Sequence, residues 1–255
     1  MAYPTILYSA DGEQYNSYAN NNQLYPYGTQ MVMQDGRKFR FTRAGGTTLV
    51  VANVQQAGIN TPNHVDTTAV ATAIGSRAPS TTLGATAATV NDYREGYAVV
   101  SVTPDGGSIY VIGSHAAVGS GAVATLNLAP GFALKAAWTT TSRIDLIRNP
   151  YRAVIEVPGS SLPTGPLTGV AVVALAANTS DTALSHGWLA THGPCAVETD
   201  GTLVVGQRAV TAADAGEAAP WTATAANMVT EMEIGVVMRV AADTAFSTIF
   251  LTIDK

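Results

Sequence analysis

The chain reads as all-β: small β-barrel or sandwich modules joined by Gly/Pro-rich loops, with an extended arm at the N-terminus. Three observations lead there. Short runs of β-branched and aromatic residues recur along the 255 residues, each closed by a Gly, Pro or Asp-Gly turn. No heptad pattern and no long helical segment runs between them. Only 12% of residues are charged, against about 25% in an average globular domain. Thr, Ser, Asn and Gly stand where Lys and Glu usually do. Such a weakly solubilising surface fits a protein that buries much of itself against copies or a partner. A secreted β protein with a bland polar surface is the alternative.

Residues 1–30 hold six of the ten tyrosines, namely Tyr3, Tyr8, Tyr15, Tyr18, Tyr25 and Tyr27, set among Asn, Gln, Ser and Gly. Little aliphatic material is present to build a core. Tyrosine offers a large contact area with a polar tip, so the segment reads as an extended arm that orders against a neighbouring surface. A disordered tail is the alternative, and the aromatic density argues against it.

Residues 31–55 take on strand character, with a hairpin expected across Asp35-Gly36 and a further strand over 47–51. Residues 56–80 read as a connection, with a short helix over 65–74 weakened by its threonines. Residues 81–157 read as an inserted β domain, with strands at 87–90, 97–102, 108–112, 123–128, 144–146 and 153–157. Residues 158–185 begin with PGSSLPTGP and read as a linker. Residues 186–255 form a C-terminal β module. Asp200-Gly201 predicts a hairpin into 202–205. Strands 234–240 and 246–253 are expected to pair around the turn at 241–245. In the last strand Phe246, Thr248, Phe250 and Thr252 share one face and Ser247, Ile249, Leu251 and Ile253 the other. Both faces are largely apolar, which predicts cover on both sides, with Trp188, Phe246 and Phe250 in the core. The 31–55 hairpin is too small to stand alone and is expected to pair with 186–255.

The C-terminal module has a distinct order of features. Gly187, the Gly193-Pro194-Cys195 step, Val197, Asp200-Gly201 and Gly206 are followed by an Ala/Thr-rich stretch, then IGVVMRVAADT and a closing FLTID. This order resembles the C-terminal part of cement (decoration) proteins of tailed-bacteriophage heads. The likeness extends upstream through GRKFRFTRAGG at 36–46, NDYREGY at 91–97 and LIRNPY at 146–151. The resemblance implies a non-enzymatic virion structural protein, assembled in the host cytoplasm, that sits on the capsid exterior and stabilises the lattice. It implies two partners: the major capsid protein, and the chain itself as a homo-oligomer, a trimer before other cyclic forms. The arm tyrosines, together with Arg37, Lys38 and Arg40, are the expected contact residues. A phage fibre or carbohydrate- or receptor-binding β protein is the second reading.

The remaining chemistry is sparse. A net charge of −5 argues against nucleic acid as partner. The one basic cluster, Arg37, Lys38, Arg40 and Arg43, reads as a solvated or subunit-contacting strand edge, with an RNA or DNA site as the alternative. Cys195 is the one cysteine, so an internal disulfide is excluded, and it reads as a small buried residue. The start, MAYPTI, lacks the basic and apolar regions of a secretory signal, and no apolar run reaches the ~20 residues of a membrane span. His186 and His192 fall about 20 Å apart on a regular strand at ~3.3 Å per residue, too far to share a metal unless the strand bends. Ser114 and His115 are adjacent and so point opposite ways, which rules out a nucleophile–base pair. Asp105-Gly-Gly and Asp200-Gly lack the alternating oxygen ligands of a calcium loop. Trp138, Trp188 and Trp221 are spread along the chain and read as core or interface anchors before sugar platforms. No cofactor, catalytic residue or metal ligand is nominated.

Overall fold

A computed structural model describes residues 6–19, 23–159, 161, 163–178, 184–221, 231–242 and 245–254. The chain divides into two compact units. The first comprises residues 1–58 and 150–255, and the second residues 59–149. Both are built of strands. Tyr3, Asp181, Lys255 and the Asp243-Thr244 centre of the last expected turn lie outside the described residues.

The first unit contains β1 (Ile6–Ser9), β2 (Tyr18–Ala19), β3 (Gln30–Met33), β4 (Lys38–Arg43) and β5 (Val54–Gln56). After the second unit it resumes with β13 (Ile155–Glu156), β14 (Leu167–Ala171), β15 (Ser185–Glu198), β16 (Arg208–Thr211), β17 (Ala218–Pro220), β18 (Glu233–Arg239) and β19 (Phe246–Thr252). The second unit holds β6 (Thr67–Ala69), β7 (Ser80–Thr82), β8 (Tyr97–Val102), β9 (Ile109–Ser114), β10 (Val123–Thr125), β11 (Asn127–Leu128) and β12 (Arg143–Ile147).

The 14-residue β15 organises the first unit. Its first half runs antiparallel to β4, from His186 opposite Arg43 to His192 opposite Lys38. Its second half runs antiparallel to β19, from His192 opposite Thr252 to Glu198 opposite Phe246. One extra residue between Ala190 and His192 bulges β15 against β4. A bulge reverses the alternation of side chains beyond it. Trp188 and Ala190 before it, and Val197 after it, therefore enter one core with Phe39, Phe41, Ile234, Val237, Ile249 and Leu251. Leu189 points the other way, into a smaller core with Ala44, Leu49, Val154, Ala171 and Leu175. Gly235 is required where β18 meets β19, because a Cβ there would lie 2.1 Å from the Phe250 carbonyl oxygen.

The second unit is a seven-stranded antiparallel sheet in the order β10-β7-β6-β12-β8-β9-β11. Its core gathers Tyr93, Tyr110, Ile112, Leu126, Trp138, Ile144 and Leu146. Asp105 anchors the buried aromatic pair. Its carboxylate accepts from Ser108 Oγ (2.6 Å), Tyr110 Oη (2.6 Å) and Trp138 Nε1 (3.1 Å). Both oxygens of this turn aspartate are therefore occupied by side-chain donors. Asp105→Ala leaves a buried indole N–H and a phenol without their acceptor. It is expected to destabilise this unit by about 2–3 kcal/mol, read as faster amide exchange in β8 and β12.

The chain is all-β, as expected, and of barrel or sandwich modules no barrel closes among the described residues. Several other expectations are corrected. Residues 65–74 form a strand at 67–69 in place of a helix, since β-branched threonines suit a pleated surface better. Residues 56–80 thus supply β6 and β7 to the second unit, and 153–157 supply β13 to the first, paired with β5. The 158–185 linker contains β14. Residues 47–51 form one isolated bridge, Leu49 to Leu175. The Asp200-Gly201 hairpin into 202–205 does not form, because β15 takes β19 as its partner instead. The last strand is fully covered on one face only: Ser247, Ile249 and Leu251 are buried, while on the other face Thr248, Phe250 and Thr252 are half-buried and Phe246 is exposed.

Candidate interface surface

The N-terminal tyrosines divide into two groups. β1 lies parallel to β3, and Tyr18 and Ala19 pair with His186 and Ser185 of β15. This brings Tyr18, Tyr25 and Tyr27 onto Phe41, at ring-centroid distances of 6.3, 5.4 and 6.4 Å. Tyr25 also meets Trp188 at 5.6 Å. The polar tips of Tyr18 and Tyr27 find partners, as phenols drawn into a core do. Tyr18 donates to the Glu13 carboxylate, and Tyr27 Oη bonds His186 Nε2 at 3.2 Å. Burial, reinforced by that carboxylate, pushes the Tyr18 phenol up to about 12. The arm is therefore part of the first unit's own core, and Tyr18, Tyr25 and Tyr27 are corrected from external contacts to internal packing. Tyr8 and Tyr15 remain outward, 83% and 55% exposed.

Two of the four residues of the basic cluster are neutralised from within. Arg37 pairs with Asp35 (2.6 Å) and Asp11 (3.3 Å) and lies over the Phe39 ring. Arg40 grips Asp254 with Nε and Nη2 at 2.8 and 3.0 Å and donates Nη1 to the Gly28 carbonyl. Burial opposes the Arg40 charge, but Asp254 outweighs it and raises the pKa. Both charges, expected on a free or contacting strand edge, are thus paired within the unit, although each side chain keeps part of its surface exposed. Lys38 is half-buried and has no ion-pair partner among the described residues.

A different surface carries the unsatisfied apolar area. On β18 and β19, Ile234, Val237, Ile249 and Leu251 turn inward, while Met238 and Phe246 are 49% and 52% exposed, and Val236, opposite Phe250, is exposed as well. Trp221 is also exposed, and the Arg208 guanidinium lies 5.9 Å from its ring. Phe250 is half-buried, with the His192 ring edge-on at 5.2 Å. Trp188 lies in the core as expected, but Phe246 does not. The alternation of Phe246 and Phe250 with Thr248 and Thr252 on one face was the signal that this face is open. An open sheet face tolerates threonine, whereas the opposite face carries Ile249 and Leu251.

The histidines and the cysteine have local roles. His186 packs against both Tyr27 and Phe41, with ring centroids 5.9 and 5.7 Å away and nearly parallel planes. His192 Nδ1 donates to the Asp254 carbonyl at 3.1 Å. In the second unit His64 bonds Tyr93 Oη, and His115 Nε2 accepts from the Tyr93 amide. Cys195 lines a cleft of about 240 Å³ with Tyr15, Arg37, Phe39, Val172 and Pro194, and burial pushes its thiol up to about 12. A thiol so high is not an activated nucleophile. Among the described residues no three His, Cys, Asp or Glu side chains gather where they could hold a metal. No helix there is long and apolar enough to cross a membrane. Comparison with protein-family models, with curated proteins and with solved structures finds no match to this chain.

Proposed function

We propose that the chain is a virion structural protein that binds the outer surface of a tailed-phage capsid lattice and stabilises it, without catalysis. The observation that carries this reading is the open face of β18 and β19. Val236, Met238 and Phe246 lie exposed there, on the very segments that resemble cement proteins. An apolar face of this kind calls for a protein partner. The partners are the major capsid protein and further copies of the chain in a cyclic homo-oligomer, most simply a trimer. Each contact can be weak, because many copies act together on a repeating lattice. Among the described residues, Tyr8 and Tyr15 are the arm tyrosines most exposed and free to contribute.

The test is cosedimentation with expanded, empty phage shells stripped of decoration. Saturable binding at a fixed ratio to the major capsid protein is expected. The double variant Met238→Ser/Phe246→Ser is expected to weaken it about tenfold or more, since truncating a central apolar anchor costs on the order of 1–2 kcal/mol. Deleting residues 1–30 is the wrong probe, because it removes Met31's partner strand β1 and three rings of the core. No binding to shells would reject the reading. Exposed Trp221 then directs attention to the second one, a fibre or carbohydrate-binding protein, through a glycan-binding screen.

A further inference from the structure

An oxygen-rich cluster in the first unit has no assigned role. β5 and β13 run antiparallel with Gln55 directly opposite Glu156, which places both side chains on one face. Asn53, two residues before Gln55, stands on that face as well, and its Nδ2 donates to Glu156 Oε1 and to the Ala215 carbonyl. Val54 and Val157 occupy the opposite face, in the main core.

Two features of this cluster point to a ligand. First, Asn53 Oδ1 and Gln55 Oε1 are buried with no hydrogen-bond partner, on side chains that are 6% and 0% exposed. Their orientation is set by their nitrogens, since Gln55 Nε2 donates to the Asn53 carbonyl at 3.0 Å. The orphaned atoms are therefore acceptors, and an orphaned buried acceptor is costly. Second, negative charge gathers here without compensation. Glu198 lies beside the cluster, its amide donating to the carbonyl of Ala52, the residue before Asn53. Neither carboxylate has an ion-pair partner among the described residues. Gly216 closes over the cluster so tightly that a Cβ would lie 2.6 Å from Glu156 Oε1 and from Asn53.

We propose that Asn53, Gln55, Glu156 and Glu198 form a binding site for a hard, oxygen-liganded divalent cation of calcium's size. The Glu156 carboxylate is the charged ligand, the two orphaned amide oxygens are neutral ligands, and the Glu198 charge adds attraction. Mixed carboxylate and amide oxygens suit calcium, whereas magnesium retains most of its water. The site draws on two carboxylates only, and its remaining donors are amides. It does not depend on the capsid reading.

The experiment uses the full chain stripped with chelator. Equilibrium dialysis against CaCl2, with MgCl2 as the control, is expected to give one bound calcium per chain. Millimolar CaCl2 is expected to raise the thermal midpoint by roughly 5 °C. Glu156→Gln is expected to abolish the shift, while Asp214→Asn, an exposed acid on the neighbouring loop, keeps it. Should Glu156→Gln fail to fold, Glu198→Gln serves, with calcium affinity expected to fall at least tenfold. Absence of bound calcium at millimolar concentration would overturn the site, as would an equal shift in the Gln variants.

Discussion

Phe41→Ala is expected to lower the stability of the first unit by about 3–5 kcal/mol, the usual cost of emptying a buried aromatic site. Phe41 is fully buried and is the hub of the aromatic cluster. Its ring meets Tyr18, Tyr25, Tyr27, His186 and Trp188, all within 6.4 Å. Three of these neighbours come from the N-terminal segment, which has few other apolar anchors. The loss should therefore be local before it is global. Hydrogen exchange is the direct measurement: amides of β2 and of the β15 residues facing it should exchange first and fastest, with β4 following. An unchanged exchange rate in β2 would show that the segment is held by something other than the ring cluster.

The second large effect is on pH dependence. His186 is buried, and burial together with the Arg43 and Arg152 charges lowers its pKa from the ordinary 6.5 to about 4, against an opposing backbone contact from Tyr18. The sign follows from proton counting. Above about pH 6.5 the ring is neutral in both folded and unfolded chains. As pH falls toward 4, the unfolded chain takes up a proton that the folded chain refuses, so stability falls with pH across that window. At about 1.4 kcal/mol per pH unit the full loss is roughly 3 kcal/mol. Glu156, whose pKa is raised, acts in the opposite direction and offsets part of it. Urea midpoints between pH 7 and pH 4 are expected to fall more steeply for the wild type than for His186→Asn. The variant loses the ring stack and starts lower, so the slopes carry the test and not the absolute values. Equal slopes would show that His186 does not titrate in this window.

The strand positions were legible where local rules apply. The β3–β4 hairpin across Asp35-Gly36 and the strand at 97–102 follow from alternation and turn chemistry, which act over a few residues. The two closing strands were legible for the same reason, down to which residues share a face. The pairing of β4 with β15 could be argued from the small size of the hairpin, because a lone hairpin must find a neighbour.

The fate of individual side chains was less accessible. Composition identified the tyrosine-rich arm as sticky but not what it sticks to, because Phe41 and Trp188 reach it only through the β4–β15 pairing. Arg37 and Arg40 looked like free charges; Arg37 pairs with the nearby Asp35 and with Asp11, and Arg40 with Asp254, far along the chain. Phe246 looked like core, and only the absence of a second layer over β19 leaves it in solvent among the described residues. The bulge in β15 leaves no mark in the pattern, yet it decides that Val197 and Trp188 share a core despite their odd spacing. The sequence by itself determined the all-β class, the sites of several turns and the alternation within strands, because these depend on backbone propensity and short-range sterics. The tertiary structure alone decided which apolar faces are closed, which charges are paired and where buried oxygens are left without partners, because each depends on residues brought together from distant parts of the chain.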